Sequence, residues 1–334
     1  MLTGGSEPSS PSTKAVPVEI APEASAGEAI QVAIDACLDH LAPNEACWLE
    51  TEHADCLHQT RVSTRRLRAL FSLSRRLVRS DPVAMDLKVR MRRTLLPLGP
   101  ARDLDVTLVR AREEQWSAAD IGRLERARAE AYAVVRETLS GATWKELWSD
   151  LARWRSAQDW LDHVAELRDG PARAVTDNAL DRRYRRIVLA GPSLLAMPEP
   201  ELHRIRIEGK KLRYGCQFFD GLYPDAGTVV VSRYGEGGTV GERETDGEGE
   251  TVGDGATVGE EGGVGEVVSV PLHLADVTAQ MQDAFGAFND YAVARGLRER
   301  LSLESGAETA PPSREECLRA WERVAATPPF WRLS

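Results

Sequence analysis

LHQTRVSTRRLRALFSLSRR, residues 57–76, has a second copy 145 positions later in LHRIRIEGKKLRYGCQFF, residues 202–219. His58 aligns with His203, Arg61 with Arg206, Arg65 with Lys210, Arg66 with Lys211, Leu67 with Leu212 and Arg68 with Arg213, without a gap. Downstream, LGPARDLDV (98–106) pairs with FGAFNDYAV (285–293), so Gly99 matches Gly286 and Asp103 matches Asp290 at an offset of 187. The two offsets differ by 42, the length of the low-complexity stretch 227–268. The chain therefore reads as two related halves, about 26–168 and 170–334, with an insert inside the second.

The apolar residues between these matches recur at three- and four-residue spacing, which predicts helices. Helical patterns run over 27–41, 55–79, 82–98, 101–139, 179–189, 199–222, 272–285 and 289–301, with a last helix starting near Ser313 and Glu316. Pro82 suits a first helical turn, and PLGPARD marks a break between helices. Trp144, Trp148, Trp154 and Trp160 are spaced for helix packing. Only GTVVVSRY hints at a strand. The fold class is all-α.

A helix advances about 100° per residue, so His58, Arg61, Arg65, Arg68, Arg76 and Arg79 share an arc about 80° wide. At 1.5 Å per residue that stripe extends roughly 30 Å. His203, Arg206, Lys210 and Arg213 occupy the same arc in the second copy. A solvated helix face mixes signs, because opposite charges at i,i+4 support the helix. The first stripe contains no acid. An anionic partner offsets the mutual repulsion, and guanidinium forks suit phosphate oxygens. A row this long fits a polymer of regular charge: DNA, RNA or inorganic polyphosphate. Stacking aromatics and Asn/Gln for base edges are scarce along it, which favours a polymer without bases.

The net charge of −10 does not contradict a basic site. The insert 227–268 holds 13 glycines, ten acidic residues and two basic ones, leaving −2 for the rest. Such a composition cannot bury enough apolar surface to order itself, so it reads as a disordered acidic insert. Residues 1–25, rich in Pro, Ser, Gly and Glu, read as a disordered tail. Five scattered cysteines without a CxxC pattern suit a reduced compartment. No secretory signal and no apolar run of about 18 residues is present, so the expectation is a soluble cytoplasmic protein with no membrane partner.

Three other readings compete. A metal-dependent phosphohydrolase would use the histidines, but His58 and His203 sit among cations that repel a metal, and HxxR is no zinc signature. A nucleic-acid binder is disfavoured by the near-neutral charge outside the insert and the lack of aromatics. A structural scaffold would leave the basic faces merely solvated. No P-loop, GxSxG or HExxH motif occurs, so no cofactor or catalytic residue is assigned.

LHQTRVSTRRLRAL, LGPARDLDV, LHRIRIEGKKLRYGCQFF and the closing PPFWR resemble the CHAD family, the conserved histidine α-helical domain, from about residue 28 to the end. The resemblance implies two four-helix bundles related by a pseudo-two-fold, with basic helices lining a central groove. It also implies non-catalytic binding of long-chain inorganic polyphosphate, with granule association as one outcome. Family members are often fused to a triphosphate-tunnel hydrolase domain, which has no counterpart in this sequence. Carried over by motif, the ligand contacts are His58, Arg61, Arg65, Arg66 and Arg68 with His203, Arg206, Lys210, Lys211 and Arg213. Arg102 joins them, and Asn289 replaces it in the second copy. Asp103 orients a neighbouring arginine. Lys88, Arg92, Arg182 and Arg186 are secondary candidates.

Overall fold

The computed structural model describes residues 11–157, 159–232, 242–243, 256–258, 264–305 and 312–332. Among them the fold is all-α. In chain order the helices are α1 (Ala26–Thr51), α2 (Ala54–Leu73), α3 (Arg75–Val78), α4 (Pro82–Thr94), α5 (Leu98–Glu113) and α6 (Ala118–Ser140). There follow α7 (Ala142–Arg155), α8 (Ala165–Asp169), α9 (Arg173–Val188), α10 (Glu199–Phe219), α11 (Val270–Leu301) and α12 (Arg314–Ala326).

Local chemistry sets most boundaries. Ser25 and Glu28 form a reciprocal capping box ahead of α1, each side chain accepting from the other's backbone N–H at 3.2 and 2.8 Å. Asp81 caps α4 by accepting from Val83 and Ala84, with Pro82 in the first turn. Ser313 caps α12 through the Glu316 N–H, as its spacing predicts.

The chain divides into two compact units. Unit 1 holds residues 1–17, 30–169 and 287–312; unit 2 holds 18–29, 170–286 and 313–334. This differs from the two consecutive halves expected from the repeat. The reason lies in α11, which runs through Gly286 without the break expected between 285 and 289. Its C-terminal part belongs to unit 1, where Val293, Leu297, Leu301 and the following Leu303 pack with Leu104, Leu108, Ala111 and Leu124 of α5 and α6. A second core of unit 1 gathers Leu41, Trp48, Cys56, Leu57, Leu98, Tyr132, Leu139 and Trp144. Trp144 and Trp154 are buried, as the helical spacing of the tryptophans suggested. Unit 2 is built on Leu202, Leu212, Phe218, Phe219, Leu274, Met281 and Phe285. Phe330 stacks edge-on to Tyr223 and Trp331 there, at 4.7 and 4.8 Å between ring centres.

Several expectations are corrected. The stretch 55–79 is not one helix: α2 stops at Leu73, Ser74 caps it, and the chain turns so that Leu77 and Val78 are buried. Arg76 and Arg79 therefore lie beyond the end of α2 and are exposed, unlike the half-buried His58, Arg61, Arg65 and Arg68. The pattern over 101–139 is two helices, parted where Gln115 adopts a left-handed φ of 55°. The break at PLGPARD falls at 95–97, and Gly99 and Pro100 sit in the first turn of α5. The N-terminal segment is placed from residue 11 onward rather than forming a disordered tail to residue 25. Thr13 exchanges hydrogen bonds with the Asn44 side chain at 3.0 and 2.9 Å, and Val18 and Ile20 are buried. Residues 1–10 lie outside the described residues.

Parts of the insert 227–268, read as disordered from its composition, also have structure. Strands β1 (Thr228–Ser232), β2 (Glu242–Arg243), β3 (Ala256–Val258) and β4 (Val264–Ser269) form an antiparallel sheet in the order β2-β1-β4-β3. Val230 lies opposite Val267, so the valines of GTVVVSRY do form a strand. The glycine-rich stretches between the strands lie outside the described residues. Cys47 and Cys56 are disulfide-bonded across 6.1 Å between Cα atoms, contrary to the expected set of reduced thiols. The two cysteines end up apposed because Trp48 and Leu57 next to them pack in one core. Cys37, Cys216 and Cys317 are free and buried. No helix of the described residues is long and apolar enough to cross a membrane.

Candidate polyanion site

In unit 1 the α2 residues His58, Arg61, Arg65 and Arg68 are half-buried on one face. Arg102, from the first turns of α5, joins them. Burial and the charges of Arg102, Arg65 and Arg61 push the His58 pKa down to about 4, so the ring is neutral at pH 7. Burial and Arg65 pull Arg61 down to about 10, which leaves it charged. Among the described residues, no carboxylate oxygen lies within 4.0 Å of Arg61, Arg65, Arg68 or Arg102. Four guanidinium groups partly withdrawn from water, without direct ion pairs, form a concentrated positive surface. Arg92 of α4 extends it, since burial and Arg92 both lower the pKa of Arg68. Lys88 is half-buried on the same helix.

Arg66 does not face this surface. It is 6% exposed and lies against Cys37 and His40. Its position on the helical wheel, about 80° from His58, already separates it from the arc.

Asp103 and Asp105 act electrostatically on Arg61. Burial raises the Asp103 pKa against the pull of Arg61, and Asp290 raises it further. Asp103 and Asp290, matched in the repeat, line one cavity of about 420 Å³ in unit 1 with Thr107, Arg110, Trp116 and Tyr291. Asp105 is also charge-coupled to Arg61, and it accepts from Arg128 Nε and Tyr132 Oη at 2.7 Å each. The sequence signalled Asp103 through the repeat. It gave no signal for Asp105, whose matched residue is Ala292.

Unit 2 arranges the second copy differently. His203 is exposed, and burial with Arg206 and Lys210 lowers its pKa. Arg206 donates from Nε to the Gln282 carbonyl at 3.3 Å. Arg213 lies over the Tyr214 ring at 5.1 Å. Lys211, like its counterpart Arg66, turns away from the arc: it donates to Glu208 Oε1 at 2.7 Å. Glu208 Oε2 also accepts from Arg183 at 2.8 Å and Arg186 at 3.3 Å. Burial pushes the Glu208 pKa up, but Lys211 and Arg183 hold it below the usual value. Of the secondary candidates on α9, Arg186 thus joins a cluster through Glu208, and Arg182 is half-buried beside it in sequence. Glu208 and Arg183 escaped the sequence reading because the matched residue, Ser63, is uncharged and burial is invisible in sequence.

The matched glycines gain a physical role. A Cβ on Gly99 would meet Arg61 Nη1 at 3.4 Å, and one on Gly286 would meet Arg206 Nη2 at 3.1 Å. In each unit the repeated glycine makes room for the repeated arginine. Among the described residues no group of three or more His, Cys, Asp or Glu is placed to hold a metal ion.

A family profile described as the CHAD domain matches residues 32–235, ending inside the acidic insert. The crystal structure of the CHAD domain from the plant Ricinus communis is similar with a TM-score of 0.60 at 21% identity. The alignment covers 94% of this chain and 90% of that one, a likeness of fold. No curated protein matches. The profile spans more than half of the sequence and takes in both arginine-bearing helices, α2 and α10, so the chain belongs to the CHAD domain family.

Proposed function

We propose that this protein binds long-chain inorganic polyphosphate without carrying out chemistry on it, and that this binding can hold it at polyphosphate granules. The observation that carries the reading is the unit 1 cluster: Arg61, Arg65, Arg68 and Arg102 around a neutral His58, with no carboxylate in direct contact among the described residues. Such a surface is costly to leave empty, and a polymer of closely spaced phosphates neutralises it at several points at once. The absence of stacking side chains on it suits a backbone with no bases. The second cluster, His203, Arg206 and Lys210, gives the same polymer a second point of attachment, which multiplies affinity if both are engaged. Membership of the CHAD family, which is associated with polyphosphate binding, agrees with this reading.

The test is a titration of the purified protein with long-chain polyphosphate at low salt, repeated with excess double-stranded DNA. Binding that DNA does not displace is the expected result. No binding, or binding that DNA abolishes, would sink the reading.

A further inference from the structure

The buried carboxylate in unit 2 goes beyond a list of cations. Glu208 sits on α10 with its side chain 11% exposed. Three cations converge on it: Arg183 and Arg186 from α9 and Lys211 from its own helix. The Arg183 side chain is only 5% exposed, whereas Arg186 is 55% exposed and Lys211 22%. The carboxylate thus stands at the base of the cluster, with Arg183 beneath and two cationic heads reaching outward. Arg186 uses one Nη for Glu208, and Lys211 uses one of three Nζ protons. Each therefore keeps donors for an outside oxygen. Together the group carries a surplus of two positive charges. The first copy has nothing comparable, because Ser63 occupies the matched place and spends its hydroxyl on the Thr60 carbonyl.

We propose that Glu208 is a positioning residue that presets Arg186 and Lys211 as a two-pronged donor for a single phosphate group of the polymer. This deepens the polyphosphate reading and rests on it. Lysine and arginine side chains lose rotamer freedom when they grip a ligand, and a carboxylate that already fixes both reduces that loss. A role in mere neutralisation gives the opposite outcome, since the carboxylate would then repel the polyanion.

The sign of one substitution separates the two. Glu208→Gln keeps the shape and one acceptor and makes the protein more positive by one charge. Positioning predicts about fivefold weaker polyphosphate binding. It also predicts that Arg186→Ala and Lys211→Ala cost little more in the Glu208→Gln background. Tighter binding by Glu208→Gln, with circular dichroism showing an intact fold, would overturn the proposal. If Glu208→Gln does not fold, the pair Arg186→Ala and Lys211→Ala decides. Two prongs on one phosphate predict that the double variant loses little more than the worse single one, and simple additivity contradicts it. A wild-type protein that ignores polyphosphate would be a failure of the polyphosphate reading itself, seen before any variant is made.

Discussion

The two copies of the basic helix start from one pattern and end in two electrostatic states. In unit 1, α2 presents Arg61, Arg65 and Arg68 half-buried, with Arg102 beside them and no carboxylate within ion-pair distance among the described residues. In unit 2, α10 carries its own acid, and Glu208 takes up Lys211 together with Arg183 and Arg186. His58 is driven to about 4 by burial and three arginines, whereas exposed His203 is lowered by burial, Arg206 and Lys210. Identical motif letters therefore do not give identical sites. One neighbouring position, Ser63 against Glu208, separates an open positive surface from a partly neutralised one. Unit 1 should carry most of the affinity for a polyanion, and unit 2 should add a smaller, more structured contact.

The comparison can be broken by reversing charges in one unit at a time. Arg61→Glu with Arg65→Glu should weaken polyphosphate binding about 100-fold, taking roughly 1.5 kcal/mol per lost charged hydrogen bond. Arg206→Glu with Lys210→Glu should cost about tenfold, equivalent to about one such hydrogen bond, because Arg206 already spends a donor on the Gln282 carbonyl. Thermophoresis with labelled polyphosphate measures both, and equal losses would erase the distinction between the units.

A second difference is covalent. The Cys47–Cys56 bond ties α1 to the first turn of α2, two residues before His58, while Cys216 and Cys317 of unit 2 are free. Closing a loop of this length stabilises by about 2–3 kcal/mol in the chain-entropy account. Cys47→Ser should therefore lower the denaturation midpoint. The unfolded, unreduced wild type should titrate three thiols, from Cys37, Cys216 and Cys317, and five after reduction.

The third test is pH. His58 is neutral in the free protein because its pKa lies near 4, below the ordinary value of 6.5. A bound polyanion favours the protonated ring, so binding takes up a proton. Affinity should rise about tenfold from pH 8 to pH 5 and level off below about 4, where the free protein is protonated too. Calorimetry in buffers of different ionisation heat reads the proton uptake directly, and His58→Gln should flatten the profile. The same depressed pKa makes the fold lose stability as pH falls from about 6.5 towards 4, because protonation is easier in the unfolded chain.

The smallest effect sharpens the comparison at the matched glycines. Gly99→Ala places its methyl at ordinary contact with Arg61, whereas Gly286→Ala presses on Arg206. Gly99→Ala should leave affinity unchanged. Gly286→Ala should weaken binding about threefold while both variants gain helix stability. A larger loss from Gly99→Ala than from Gly286→Ala would contradict the packing account.

Much of this was legible in the sequence because it is carried by short-range periodicity. The helices, the cap at Ser313, the first-turn Pro82, and the repeat that aligns Arg61 with Arg206 all follow from spacing. What escaped depends on contacts between distant residues. The stop at Leu73 is set by the need to bury Leu77 and Val78. The unbroken course of α11 is set by Leu297 and Leu303 finding a core in unit 1. Burial of Val18 and Ile20 placed a segment whose composition reads as a tail. Among site residues, the spacing from His58 to Arg68 placed His58, Arg61, Arg65 and Arg68 on one arc, and all four are half-buried on α2. Arg66 and Lys211 came in by motif alone: Arg66 is buried, and Lys211 leaves the arc to pair with Glu208 while staying partly exposed. Glu208 was visible as a letter but not as a buried anchor.

The most direct test of the account is the salt dependence of polyphosphate binding. The logarithm of the association constant should fall linearly with the logarithm of salt, with a slope set by the number of phosphates contacted. For Arg61→Ala with Arg65→Ala the slope should become shallower by about 1.4, on the scale of about 0.7 per phosphate of a single-stranded polymer. Parallel lines for this variant and the wild type would show that the open cations of unit 1 do not touch the polymer, and the central claim would fail.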